Sequence, residues 1–299
     1  MTWQLSAPQS EAQWQAYYNL RYQVLRAPWG QAPGSERDEL EAGSFHQMVT
    51  SADGEVLAVG RLHRLDDGRA QVRYMAVSPA AQGKGLGAML LMALERQAEA
   101  WGSSAIVLNA RENAFGFYRK LGYSFGEELA PLYGIAHQQM WRPLSLVATA
   151  QQREHLSLQL QQTWHQTIPL SAYMQLHIEA FDGRSLVCSA PLAPNKNLHQ
   201  SMFAGAIYSL LTLTGWGMVW LQLQANNLDG DIVLANANVR YLAPVRADAV
   251  ARVELLNCRG SLDALATGKR VRQQVLVQLW HEDQLLAEFD GRFAVLPHA

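Results

Sequence analysis

At 299 residues the chain is long for one compact domain and comfortable for two of about 150 each. Hydrophobic residues at 49% against 17% charged give each half enough for a core, which excludes a disordered chain. A net charge of -2 carries no basic surplus, so nucleic acid is not an expected partner and an acidic ligand must be met by local groups.

In the first half the elements alternate. Glu11 to Leu25 has helical spacing, with Trp14, Tyr17, Tyr18 and Tyr22 recurring at three and four residues. Residues 27 to 44 are rich in Gly, Pro and charge and read as a loop. A hairpin follows, His46 to Ser51 and Val56 to His63, turning at Ala52-Asp53-Gly54. Val72 to Val77 is a strand ended by Ser78-Pro79, Ala88 to Trp101 an amphipathic helix stopped by Gly102, and Ala105 to Asn109 a strand. Ala114 to Leu121 is a helix closed by Gly122, and residues 136 to 142 form a last strand.

Composition shifts near residue 145, where glutamines cluster at 151, 152, 159, 161 and 162 in a helix-like segment ending before Pro169. The expected domains are 1–147 and 148–299. Beyond the boundary come Met174 to Phe181 and Arg184 to Ala190, paired about Asp182-Gly183. The apolar run Met202 to Leu223 is about long enough to span a membrane. It has no basic flank and leads directly into amphipathic strands, so it reads as a buried central helix. Strands follow at Ile232 to Tyr241, Ala249 to Cys258, Val271 to Glu282 and Leu285 to Val295. One central helix wrapped by a mainly antiparallel sheet makes this half α+β. Cys188 and Cys258 stand alone without CxxC spacing, so neither a disulfide framework nor a metal site is expected. The start, Met1-Thr2-Trp3-Gln4-Leu5, lacks the basic and apolar regions of a signal peptide, and a cytoplasmic protein without a membrane partner is expected.

The sharpest local signal is Gln82-Gly83-Lys84-Gly85-Leu86-Gly87, between a strand and a helix. Its glycines let backbone N–H groups converge at a helix start, where an anion is favoured, and Lys84 adds charge. The spacing fits neither a dinucleotide fingerprint nor a Walker loop. With Tyr74-Met75-Ala76-Val77 before it, the segment resembles the acyl-coenzyme A pyrophosphate loop of the GNAT acetyltransferases, whose Gln/Arg-x-x-Gly-x-Gly/Ala pattern is met by Gln82, Gly85 and Gly87. A second element of that family, Asn113 through Tyr123, agrees in order and spacing. The resemblance covers residues 1 to about 145 and implies that Met75, Ala76, Val77, Gln82, Gly83, Lys84, Gly85, Leu86 and Gly87 bind acyl-coenzyme A. It places Asn113 by the pantetheine and Tyr118 near the thioester sulfur. Glu11, Glu36, Asp38 and Glu39 are carboxylates that could act as bases, and none is singled out.

In the second half Pro194 through Gly205 leads into the apolar helix and sets amide and N–H donors beside its positive end, where a thioester carbonyl would be polarised. This resembles the active-site turn of hotdog thioesterases. Asn197, Phe203, Ala204 and Gly205 match its register, and Asn195 sits two residues early. Hydrolytic relatives carry a carboxylate about two turns into the helix; Thr212 occupies that place here, and a hydroxyl is a poor base near neutral pH. Donors without a base suit decarboxylation of a β-carboxyl thioester, which needs an enolate hole and a dry pocket but no activated water. His199, Phe203, Ala204, Gly205, Thr212 and Trp216 are the expected pocket residues, and Asn197 the catalytic one.

The domain order, with Gly215 to Trp220 and Ala237 to Pro244, resembles the proteobacterial YiiD/FabY family along the whole chain. That resemblance implies malonyl-acyl-carrier-protein decarboxylation, giving acetyl-carrier protein to start fatty-acid biosynthesis. It also implies coenzyme A or the phosphopantetheine of acyl carrier protein as bound acyl carrier, no other required cofactor, and a homodimer through the hotdog half. The alternatives are an acyl-coenzyme A-dependent N-acetyltransferase with a thioesterase-like accessory domain, or a first half that only docks coenzyme A or carrier protein.

Overall fold

The computed structural model describes residues 3–146 and 149–298. The chain divides into two compact units, one reaching Leu144 and excluding Arg119–Gly122, the other running from Ser145. The boundary expected at 147/148 lies outside the described residues.

The first unit opens with β1 (Gln4–Ser6) and α1 (Glu11–Leu25). A capping box starts α1: the Ser10 hydroxyl accepts from the Gln13 N–H, and the Gln13 side chain accepts from the Ser10 N–H. The loop after α1 contains two 3-10 turns, Ala27–Trp29 and Glu41–Gly43. Next come β2 (Phe45–Thr50), β3 (Val56–Arg64), β4 (Ala70–Val77), α2 (Leu86–Ala100), β5 (Ala105–Arg111), α3 (Phe115–Lys120), β6 (Ser124–Leu132) and β7 (Ile135–Pro143). They form one seven-stranded sheet ordered β1-β2-β3-β4-β5-β7-β6. α2 buries Leu86, Leu90, Leu91, Leu94 and Ala98, one helical stripe. Gly60 on β3 admits it, since a Cβ there would stand 3.1 Å from Leu94 and 3.2 Å from Leu90. The buried Arg142–Glu95 ion pair, at 2.9 Å, ties β7 to α2.

Sheet irregularity shapes the site. β4 pairs parallel with β5 only from Ala70↔Ile106 to Val72↔Leu108, after which the strands part. On its other side the β3–β4 register slips between Val59↔Ala76 and Arg61↔Arg73, a bulge that leaves Tyr74 at φ +52°.

The second unit contains α4 (Ala150–Thr167), α5 (Pro169–Tyr173), β8 (His177–Phe181), β9 (Ser185–Ala190), the single turn α6 (Leu192–Asn195), α7 (Ala204–Ala225), β10 (Asp231–Tyr241), β11 (Ala249–Arg259), β12 (Val271–His281) and β13 (Gln284–Leu296). The strands form an antiparallel sheet ordered β10-β13-β12-β11-β9-β8, packed around α7. α7 is long and apolar enough to cross a membrane, yet 61% of its apolar window is buried inside the protein. Its glycines explain how it fits. A Cβ at Gly217 would meet the fully buried Trp164 of α4 at 2.5 Å, and one at Gly215 would press on Phe293 and Val277 at 3.2 Å. The Gln222 and Gln273 amides exchange hydrogen bonds of 2.8 and 2.9 Å, which lets these buried polar groups join α7 to β12.

Candidate functional site

In the first unit the divergence of β4 from β5 opens a cavity of about 780 Å³. Main chain lines one end. Gly83 and Gly85 adopt φ +75° and +82°, a region closed to most side chains, and Gly85 is the N-cap of α2. No side chain caps this helix, so the first-turn N–H groups of Leu86, Gly87 and Ala88 have no partner within it. Gly87 lies against the wall: a Cβ there would stand 3.2 Å from Phe117 and 3.5 Å from Met75. Lys84 turns away, its ammonium donating to Ala80 O at 2.9 Å, and it is not among the lining residues.

Tyr118 is buried midway along the cleft, and its hydroxyl donates to the Met75 sulfur at 3.6 Å. Burial pushes its pKa well above that of an ordinary tyrosine, so it is a proton donor at neutral pH. Asn113, in a 3-10 turn, also lines the cavity. The far end carries three cations, Arg26, Arg73 and Arg111, with Tyr74 and His137 beside them. Behind them the buried Arg21 and Arg61 are neutralised by Glu41 and Asp38. Burial would raise the Asp38 carboxyl, but the hydrogen bonds and charge of Arg61 outweigh it and hold the pKa at about 2. Such a carboxylate is too weakly basic to take a proton from an ammonium. Among the other carboxylates considered, Glu36 accepts from the Gly34 N–H at 2.8 Å, while Glu11 and Glu39 are exposed.

In the second unit Asn197 closes a turn. Its side-chain oxygen accepts from the His199 N–H at 2.8 Å and from the Ser201 N–H and hydroxyl at 3.4 and 3.3 Å. This Asx-type turn leaves the Asn197 amide nitrogen without a hydrogen-bond partner among the described residues. Asn195 is buried instead, donating to Met174 O and Pro191 O at 2.9 and 2.8 Å, while its carbonyl accepts from the Phe203 N–H at 2.7 Å. Phe203 is the N-cap of α7, and its ring covers Gly205, leaving no room there for a Cβ.

Residues 14–123 match the family model "Acetyltransferase (GNAT) family", and residues 157–297 match "Putative thioesterase (yiiD_Cterm)". The first half is 32% identical to the uncharacterized N-acetyltransferase YjcF of Bacillus subtilis over 134 residues, 44% of this chain and 94% of that one. A solved structure described as the putative thioesterase from Shewanella oneidensis shares 49% identity, covering 48% of this chain and 99% of its own, with a TM-score of 0.46. An acyl-CoA N-acyltransferase structure from Pseudomonas aeruginosa shares 26%, covering 47% and 98%, with a TM-score of 0.41. The chain carries an N-terminal domain of the GNAT acetyltransferase family and a C-terminal YiiD-type, thioesterase-like hotdog domain.

In the GNAT domain the structure gathers Met75, Ala76, Val77, Gln82, Gly83, Gly85, Leu86, Gly87, Asn113 and Tyr118 around one cavity. Sequence reasoning missed Arg26, Arg73, Arg111 and His137, which come from four separate segments and carry no shared motif. In the hotdog domain Asn197, Phe203, Ala204 and Gly205 lie on one continuous turn into α7, with His199 exposed beside them. Thr212 and Trp216 do not join that turn within one chain. At 1.5 Å per residue they lie about 12 and 18 Å along α7 from Ala204. The Thr212 hydroxyl is buried with no hydrogen-bond partner among the described residues, and the Trp216 indole donates to Ile232 O at 3.1 Å. Tyr241, also unforeseen, donates to Ala204 O at 3.2 Å.

Proposed function

We propose that the GNAT domain is an acyl-coenzyme A-dependent N-acyltransferase. The observation that carries this reading is the cavity between β4 and β5, with glycine main chain at one end and the Tyr118–Met75 pair in the middle. The pyrophosphate would rest on the N–H groups of Gly83 to Gly87, where the α2 dipole favours anions. The pantetheine would follow the unpaired edge of β4 past Asn113. An amine nitrogen then attacks the thioester carbonyl, the C–N bond forms as the C–S bond breaks, and Tyr118 can give its proton to the departing sulfur. The amine's proton leaves to solvent. Acetyl-coenzyme A consumption with a panel of primary amines, followed by mass spectrometry of the amide, tests the reading; no amide from any amine would remove it.

A second reading concerns the hotdog domain, and a specific observation favours it. Asn197's oxygen is engaged by its own loop, which frees its amide N–H for an enolate, and α7 carries no acid to activate water. We propose decarboxylation of a malonyl thioester here, on coenzyme A or acyl carrier protein, to supply acetyl thioester for fatty-acid synthesis. Because Thr212 and Trp216 are remote from Asn197 within one chain, the complete pocket would be shared by two copies. The edge strand β10 supports such a dimer: it has no fully buried residue, and Val233 and Tyr241 are 42% and 49% exposed. Carbon dioxide release from malonyl-carrier protein and malonyl-coenzyme A, with sedimentation to count subunits, tests both parts.

A further inference from the structure

The cationic end of the GNAT cavity holds charge that the protein does not balance. Four guanidinium carbons surround the Tyr74 ring: Arg21 at 4.7 Å from its centroid, Arg61 at 5.1 Å, Arg73 at 5.2 Å and Arg26 at 5.3 Å. Arg21 and Arg61 are matched by Glu41 and Asp38, and Arg73 reaches Asp38 at 3.5 Å, sharing a carboxylate already committed to Arg61. Arg26 and Arg111 have main-chain partners instead. Arg26, only 8% exposed, donates to Ser35 O at 2.9 Å and Leu25 O at 3.1 Å, and Arg111 donates to the same Leu25 O at 3.0 Å. Among the described residues neither has a carboxylate within ion-pair distance. A buried cation without a counter-charge is costly, and the half-buried Arg111 beside Arg26 adds like-charge repulsion.

Coenzyme A phosphates do not meet this need. Arg73 lies four residues before Val77 on β4, about 13 Å of strand from the start of the phosphate-loop connection. Arg73 and Arg111 stand on β4 and β5, the walls of the cleft, and the other groups at this end come from its flanks. Arg26 and Trp29, which lies under Arg111 at 5.3 Å, belong to the segment after α1, while His137 and Leu132 come from the β6–β7 hairpin. Through Arg26, His137 and Leu132 these flanks line the cationic end of the cavity, the part left for an acceptor.

We infer that the acceptor is a small amine bearing its own carboxylate, held by Arg111 and Arg26 with Arg73 beside them. The inference rests on the N-acyltransferase reading above. It also has a chemical merit: cations that hold the carboxylate oppose protonation of the nearby amine and so favour the nucleophilic free base.

The test uses the full chain with acetyl-coenzyme A and pairs of acceptors, each α-amino acid against its carboxamide. The acids should react with kcat/KM about tenfold or more above their amides, and Arg111→Gln should erase that difference. Arg111→Lys, which keeps the charge, should retain it and guards against a folding defect. Turnover of amides or cationic amines at equal or better rates overturns the inference and leaves the transferase reading standing. Calorimetric titration of N-acetyl amino acids into the coenzyme A-saturated protein is independent of turnover. Binding lost in Arg111→Gln supports the inference, and no binding to the wild type overturns it. If no amine reacts while this binding persists, the transferase reading fails and the carboxylate site stands. If Arg111→Gln weakens malonyl-coenzyme A but neither acetyl-coenzyme A nor the acceptors, the carboxylate belongs to the acyl group and the inference is overturned.

Discussion

The Tyr118 hydroxyl donates to the Met75 thioether sulfur at 3.6 Å, joining α3 to the bulged strand across the middle of the cleft. Sulfur is a weak acceptor, so the hydroxyl gives up little in turning to a departing thiolate. Tyr118→Phe should therefore lower kcat for acyl transfer by about a hundredfold while KM for acetyl-coenzyme A stays within a factor of about three. Steady-state kinetics with the best amine checks this. An unchanged kcat would return Tyr118 to a packing role against Phe117 and Tyr123.

Gly85 caps α2 at φ +82°, with nothing within 4 Å of a built Cβ. Space therefore does not forbid a side chain; the backbone does, at about 1–2 kcal/mol. Gly85→Val should relax the loop, misdirect its N–H groups and abolish acetyl-coenzyme A binding in calorimetry, with circular dichroism unaltered. Equal heats in mutant and wild type would refute the phosphate-loop assignment.

Asn197→Ala should reduce carbon dioxide release from a malonyl thioester by about a hundred- to thousandfold, the loss of one oxyanion donor. Asn197→Asp should be as damaging, since it sets a negative charge beside a forming enolate. Asn195→Ala acts differently. Its buried amide fastens two carbonyls, so the loss should appear as a lower melting temperature.

Asp38 has an acid-side signature. Its folded pKa, about 2, lies below the ordinary 3.8, so the stabilisation it gives is complete above about pH 4 and is lost as pH falls toward 2. In Asp38→Asn, melting temperatures should be lower at pH 7, by the equivalent of about 2 kcal/mol, and should fall less steeply between pH 4 and 2. Parallel wild-type and mutant curves across that window would contradict the Arg61–Asp38 assignment.

Local chemistry decided much of this protein. The spacing of Trp14, Tyr17, Tyr18 and Tyr22 announces α1, Gly83 and Gly85 the loop before α2, and the run Val271 to Glu282 a strand, because periodicity and glycine conformation are properties of neighbouring residues. β6 escaped notice because six of its nine residues are exposed and none is buried, so it shows no apolar stripe. α2 starts at Leu86, two residues before the expected Ala88, because Gly85 itself is the cap.

The two short motifs also carry the expectation of where acyl carriers bind. What no window of sequence contains is the parting of β4 from β5, the slipped register that turns Tyr74 inward, and the meeting of Arg26, Arg73 and Arg111. Those three arginines are separated by tens of residues and stand in ordinary surroundings. Only the tertiary fold brings the end of α1, β4 and β5 to one cavity, where the buried Arg26 and half-buried Arg111 have no carboxylate partner among the described residues. On α7 the limit is of another kind. Thr212 lies about 12 Å along α7 from Ala204 by the rise of the helix, so the pocket proposed for it with Asn197 calls for a second copy of the chain.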